Sequence, residues 1–232
     1  MCGRYTHLYT WKQLHRLMEL TTPIVDLPMR YNVAPTQRAP VVRQTRENAR
    51  TLDMLRWGLV PTWAKDLAIG NSMINARGET IASKPAFRAA FKRRRCVVPI
   101  SGFYEWQKVG AARKQPHYIT ASDEQPLALA GLWESWLSPE HQTVETYTIV
   151  TTTPNEMMAE IHDRMPVILH PEDLDAWLDP IDEGSERVAG LIRPFPAELM
   201  LARPVSTHVN SPRNDDPACI QTLAGGLFTE ND

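Results

Sequence analysis

Apolar positions at helical spacing open the chain. Trp11, Leu14, Leu17 and Met18 share one face if it coils, and Thr10 stands where a capping hydroxyl belongs. A helix is predicted over residues 11 to about 20. Residues 21–38, with Pro23, Pro28, Asn32 and Pro35, read as loop. Short strands are predicted at 40–43 and 51–60, the second leading into Pro61-Thr62-Trp63, and 64–80 reads as mostly irregular. A second helix is predicted from a Ser83 cap to about Arg94, with Pro85 tolerated in its first turn and Phe87, Ala90 and Phe91 facing inward. Lys84, Arg88, Lys92 and Arg95 recur every three or four residues and form a basic stripe on it. Strand patterns follow at 97–100, 102–107, 117–120, 127–133 and 146–152. Then come a helix at 154–161, a strand at 165–169, helices at 171–178 and 183–192, and a strand at 200–206. No repeat, linker or regular strand–helix alternation is visible. The reading is a single α+β domain over residues 1–232, with a strand-rich mixed sheet or barrel-like core (about 2–210), peripheral helices and a polar C-terminal tail.

Composition narrows the class. The chain has 232 residues, 43% hydrophobic and 22% charged, which fits a globular protein and argues against a disordered or fibrous one. Apolar runs such as 126–133 stop far short of a membrane span. The start lacks the basic-then-apolar pattern of a signal peptide, so the expectation is a soluble, cytoplasmic protein with no membrane partner. The net charge of −2 conceals a front part (1–150) at +8 and a back part (151–232) at −10. Two readings of that asymmetry stand side by side: a positive surface for nucleic acid, or two halves that complement one another.

Three cysteines, Cys2, Cys96 and Cys219, with no CxxC spacing, argue against a disulfide framework and against a cysteine-rich zinc site. The seven histidines show no ligand spacing either, so no metal and no cofactor is expected. Cys96 reads as a small hydrophobe at the start of a strand. Cys2 differs by position: if Met1 is removed, it carries a free thiol and a free α-amine on one residue. A second-position cysteine is also compatible with no role.

Four local features carry titratable or polar groups: Met1-Cys2-Gly3-Arg4-Tyr5, Asn75-Ala76-Arg77-Gly78-Glu79-Thr80, Gly102-Phe103-Tyr104-Glu105-Trp106 and Ile161-His162-Asp163-Arg164-Met165-Pro166. Each alone has an ordinary reading. Asn75 to Arg77 suits a turn, and His162-Asp163-Arg164 suits a salt-bridged turn. Strand alternation, however, puts Glu105 on the same face as Phe103, away from Tyr104 and Trp106. An acid among apolar groups has a raised pKa and is suited to proton transfer.

Together these segments resemble the SRAP family, named for an SOS-response-associated peptidase, whose members process abasic sites in DNA. The resemblance also takes in Arg30-Tyr31-Asn32-Val33-Ala34-Pro35-Thr36, Arg56-Trp57-Gly58-Leu59-Val60-Pro61 and, more weakly, Pro204-Val205-Ser206 with Val209-Asn210. It implies that Cys2 crosslinks to the ring-opened sugar aldehyde as a thiazolidine after Met1 is removed, with slow lyase activity and limited self-processing. It implies that Asn75 holds the Cys2 amine and the sugar, that Glu105 relays protons and that His162 helps open the sugar ring. Arg4 and Arg77 match phosphate contacts, and Trp63 matches a base-stacking or wedge residue. Asn32, Pro35, Lys84 and Thr151 match further backbone contacts. The implied partner is single-stranded DNA containing abasic sites, with replication-fork proteins beside it, a monomeric state and nucleoid association on DNA. The chain departs from the family pattern at Ala64, where a second aromatic is expected after Trp63, and in a longer 65–72 loop.

Two other classes fit parts of the sequence. Glutamine amidotransferases also begin Met-Cys-Gly and use the thiol as nucleophile with the α-amine as base. A non-covalent single-strand DNA-binding module would need the basic front half but not Cys2.

Overall fold

The structure is a computed structural model and describes residues 2–23, 27–110 and 113–223. The strands are β1 (Tyr5–His7), β2 (Arg30–Val33), β3 (Arg38–Gln44), β4 (Arg50–Trp57), β5 (Asn75–Arg77), β6 (Arg95–Ile100), β7 (Gly102–Val109), β8 (Arg113–Ala121), β9 (Leu127–Leu137), β10 (Thr143–Thr152), β11 (Met165–Pro166), β12 (Ile168–Leu169) and β13 (Met200–Pro204). The helices are α1 (Trp11–Met18), α2 (Arg88–Arg93), α3 (Glu156–Ala159), α4 (Leu174–Leu178) and α5 (Glu186–Gly190).

Five strands close on themselves. β10 pairs parallel with β4, β4 with β3, β3 with β6, β6 with β9, and β9 returns to β10. Closure leaves no free edge within the ring. A second sheet, ordered β13-β8-β7-β1-β2, packs against it. The α+β, barrel-like reading therefore holds, and the sheet is mixed because β10 runs parallel to both β4 and β5.

β6 and the first half of β9 are buried on both faces, which is why 96–100 and 127–132 read as near-continuous apolar runs. Val42, Val97, Ala130 and Val150 turn outward onto a cluster with α1, α2 and α4. Val41, Cys96, Val98, Leu129 and Ile149 alternate with them and turn inward, joining Cys2, Tyr5, Trp57, Phe103 and Tyr147. Gly58 lets the chain turn off β4. Its φ of +119° and the 2.5 Å from an added Cβ to the Gly70 carbonyl oxygen both exclude a side chain there.

Several expectations change. α1 has its cap, a reciprocal Thr10–Gln13 box, but ends at Met18 because Glu19 turns left-handed. α2 is shorter than predicted. Ser83 does not cap it but donates to the Thr80 carbonyl, and Phe87 starts it with no side-chain cap. Arg95 leaves the basic stripe altogether. It begins β6, is buried, and donates to the carbonyls of Phe91, Lys92, Trp177, Asp179 and Asp182. Periodicity cannot sense that the helix stops at Arg93. The 21–38 loop contains β2, the 64–80 stretch contains β5, and the predicted strand 165–169 is split, β11 pairing with β10 and β12 with β9. The helices predicted at 154–161 and 183–192 shrink to α3 and α5. No helix among the described residues is long and apolar enough to cross a membrane.

Candidate functional site

Cys2 is fully buried at the inward-facing cluster. Three separate pieces of chain converge around it. β1 follows directly and pairs with β7, Tyr5 opposite Phe103, which brings Glu105 to the same side. β5 lies parallel to β10, with Asn75 opposite Ile149. The turn before β11, which pairs antiparallel with the end of β10, carries His162.

The Asn75 amide Nδ2 donates to the Cys2 carbonyl oxygen at 3.0 Å. Its Oδ1 is buried with no hydrogen-bond partner among the described residues, so one acceptor faces the site unsatisfied. Glu105 is 2% exposed, and burial raises its carboxyl above the usual range, against a partial pull down from His162. Burial likewise pushes the Cys2 thiol up, and the nearby Glu105 carboxylate pushes it further. The two groups are thus held toward their neutral forms.

His162 is about a quarter exposed, and its Nε2 lies 3.9 Å from Glu105 Oε2. Its Nδ1 meets the Arg164 backbone N–H, which donates at 3.0 Å, and Asp163 Oδ1 at 2.9 Å. The two contacts ask opposite things of Nδ1, an acceptor for the Arg164 N–H and a donor for Asp163, while Nε2 faces Glu105.

Arg164 anchors this turn. Its guanidinium grips the Glu79 carboxylate with both Nη atoms and donates to the Thr151 carbonyl at 2.8 Å. Glu79 and Arg164 were in the sequence segments singled out but carried no assigned role. The salt-bridge reading of the His-Asp-Arg turn is the signal: His162 and Asp163 pair within the turn, while Arg164 bridges to Glu79, 85 residues away.

The remaining residues separate into two groups. Arg77, Lys84 and Trp63 are exposed, Trp63 at 57%. Pro35 is half-buried. Trp63 stands on a loop pinned by Trp136, whose Nε1 donates to the Ala64 carbonyl at 2.8 Å. Arg4, Asn32 and Thr151 are turned inward. Arg4 Nη1 donates to Asn32 Oδ1 and the Val209 carbonyl, and Nη2 to the Asn210 carbonyl. Asn32 is fully buried, and its Nδ2 donates to the carbonyls of Val209, Ser211 and Asn214. Thr151 is 1% exposed. Asn32 and Thr151 therefore present no side-chain surface to a ligand here.

One mixed group of metal-ligand residue types occurs among the described residues, His208, Asp216 and Cys219. Its atoms are engaged within the fold. His208 Nε2 pairs with Asp216 Oδ2 at 3.0 Å, Nδ1 faces the Asn214 amide, and Cys219 Sγ donates to the Asn214 carbonyl.

Fold and site together define a mixed, closed β-barrel protein with a second-position cysteine packed beside a buried carboxylic acid and a histidine. A family model described as SOS response associated peptidase (SRAP) matches residues 1–212. The chain belongs to that family. Abasic site processing protein YoqW of Bacillus subtilis (strain 168) is 41% identical over 224 residues, 96% of this chain and 100% of the relative. Abasic site processing protein HMCES of Gallus gallus is 35% identical over 231 residues, covering 86% of this chain and 68% of the relative. Among solved structures, a protein from Bacteroides thetaiotaomicron superposes with a TM-score of 0.84 at 28% identity, over 96% of this chain and 100% of that one.

Proposed function

We propose that this chain, once Met1 is removed, captures abasic sites in single-stranded DNA as a thiazolidine formed by Cys2. The observation that carries the reading is the convergence on Cys2: Asn75 holds its carbonyl, and Glu105 and His162 face each other beside it. The names of the curated relatives support the substrate.

The chemistry follows from the aminothiol. An α-amine of pKa ~7.7–8.0 has a neutral fraction at cellular pH. It adds to the C1′ aldehyde of the opened sugar and loses water to give an imine. The thiol then adds across the C=N bond: sulfur bonds to carbon, the thiol proton goes to nitrogen, and a five-membered ring closes. Because both groups sit on one residue, the second step is intramolecular and its entropy cost is mostly removed in advance. A thiol held neutral by burial keeps the proton that the nitrogen needs. Glu105, with its raised pKa, carries protons to and from the amine and the leaving hydroxyl. His162, through the Nε2 that faces Glu105, acts on the sugar oxygen as the ring opens. The Asn75 Oδ1, without a partner among the described residues, accepts from the amine. Left unclosed, the imine promotes β-elimination and strand cleavage, which gives a slow lyase side reaction.

In the chain as encoded, the Cys2 nitrogen is in a peptide bond and Cys2 is buried. Met1 lies outside the described residues. Hydrolysis of the Met1–Cys2 bond frees the amine and deletes the preceding residue in one step, which gives the peptidase of the family name a self-processing meaning. Arg77, Lys84 and Trp63 offer exposed contacts to the strand, and Pro35 a half-buried one. Arg4, Asn32 and Thr151, turned inward, act by holding the segments around Cys2 in place. The protein works as a cytoplasmic monomer, with replication-fork proteins as the partners that deliver it.

The test is the full-length protein mixed with a single-stranded oligonucleotide holding one abasic site. A slow band on a denaturing gel is expected, together with an intact mass lacking Met1. Cys2→Ala abolishes the band. A band of equal yield from Cys2→Ala overturns the crosslink and leaves a non-covalent DNA-binding module. Ammonia release from glutamine marks the amidotransferase reading instead.

A further inference from the structure

Three clustered arginines next to α2 are committed to partners. Arg93 pairs with Glu183, Arg94 with Glu134, and Arg95 with internal carbonyls. Lys84, Arg88 and Lys92 are different. All three are exposed, and none forms an ion pair among the described residues. The Arg88 backbone N–H donates to the Lys84 carbonyl at 2.9 Å, so helical spacing already runs from 84 and the three lie one turn apart. At about 1.5 Å per residue they span about 12 Å of surface. Their inward neighbours Phe87, Ala90 and Phe91 are buried and fix the orientation of the helix.

This row begins close to the site. Arg77 ends β5, a tight turn (Gly78–Thr80) follows, and the Thr80 carbonyl accepts from the Lys84 backbone N–H at 3.0 Å. Arg77, Lys84, Arg88 and Lys92 are therefore consecutive cations in the chain, all four are exposed, and the first stands two residues from Asn75.

We propose that Arg88 and Lys92 extend the DNA path on one side of the reactive residues, so that the protein holds the phosphates flanking the lesion asymmetrically. The proposal rests on the single-strand DNA reading of the same site and adds to it residues and a one-sided footprint. Cations without acidic partners gain most from a phosphate, because no internal ion pair has to break first. The contacts are to the backbone and carry no sequence preference. Each phosphate neutralised on a single strand contributes about −0.7 to the slope of log affinity against log salt. Two such contacts contribute about −1.4, a sevenfold loss between 50 and 200 mM salt beyond that of a short strand.

The test uses strands carrying a tetrahydrofuran abasic analogue, which has no aldehyde and cannot crosslink, so binding is measured apart from chemistry. One strand has only the immediate neighbours of the lesion, and two others are extended on the 5′ or the 3′ side alone. The wild-type full chain is expected to gain affinity from one extension and not the other. Arg88→Gln/Lys92→Gln is expected to lose that gain and its added salt slope. It should still crosslink a short aldehyde-bearing strand at wild-type yield, which shows that the barrel and site are intact. Equal gains from both extensions, or an unchanged salt slope in the double variant, overturn the proposal. Absence of any crosslink by the wild type with a normal one-sided footprint instead overturns the thiazolidine reading and leaves the footprint standing.

Discussion

Two polar networks lie on either side of β1, and they are built to opposite rules. In the clasp that fastens the 206–220 segment, the polar groups are satisfied. Asn32 serves three carbonyls and accepts from Arg4, while Asp215 accepts from the Arg30 guanidinium and from the backbone N–H groups of Tyr31 and Asn32. Around Cys2 the arrangement is incomplete. Asn75 Oδ1 has no partner among the described residues, and two acids, a thiol and a carboxyl, are held toward neutrality by burial. A satisfied network fixes a fold. A buried acceptor left open, beside groups with perturbed pKa, marks a place where a reacting molecule completes the set. The clasp reaches the site through Arg4, two residues from Cys2, so the stable network positions the reactive one.

That contrast can be broken most sharply at Cys2, where alanine removes the covalent product altogether, read on a denaturing gel. Asn32→Ala comes next. It strands several buried carbonyls, each costing roughly 1–3 kcal/mol, so a loss of about 3 kcal/mol is expected in urea unfolding. Crosslinking by the molecules that stay folded should persist but slow. An unchanged midpoint would show that the clasp is not what holds the segment.

Glu105→Gln should act in opposite directions on rate and stability. Adduct formation should slow by about 10²-fold or more, the usual effect of losing a proton-transfer group. Stability behaves otherwise. The folded pKa of Glu105 lies above its unfolded value, so the native state binds the proton more tightly. Its contribution is therefore complete below the ordinary carboxylate pKa and is lost as pH rises toward the raised folded value. Glutamine carries no such loss, so the variant should be the more stable protein at neutral pH and flatter with pH. Thermal melts from pH 4 to 8 check this, and a wild-type curve that rises where the variant stays flat contradicts it. Trp63→Ala gives the smallest effect, a loss of about 1–3 kcal/mol in single-strand binding with no change in melting temperature, since the side chain is exposed. A fall in melting temperature would assign the ring to packing.

Much of this was legible in the chain. Alternation alone put Glu105 on the Phe103 face, because a strand repeats every two residues whatever surrounds it. The α1 cap was visible because a capping box is local. Arg95 was not, since a charge at helical spacing looks the same whether the helix continues or ends two residues earlier. Arg4 and Asn32 matched surface contacts by motif, yet the carbonyls they bond lie between 177 and 206 residues away along the chain. The short strands β1, β2 and β5 escaped for a related reason: three or four residues carry little pattern, and the pairing that makes them strands comes from elsewhere.

The sequence by itself determined the chemistry available: a cysteine behind the initiator methionine, an acid in an apolar strand, a histidine in a charged turn, and a row of cations one helical turn apart. Those properties reside in residue identity and in periods of two and four, which need no distant partner. Only the tertiary structure decided which of these groups meet, which cations are already engaged, and which buried polar atoms are left open. Burial and pairing depend on chain segments brought together across the closed barrel, and no local pattern encodes them.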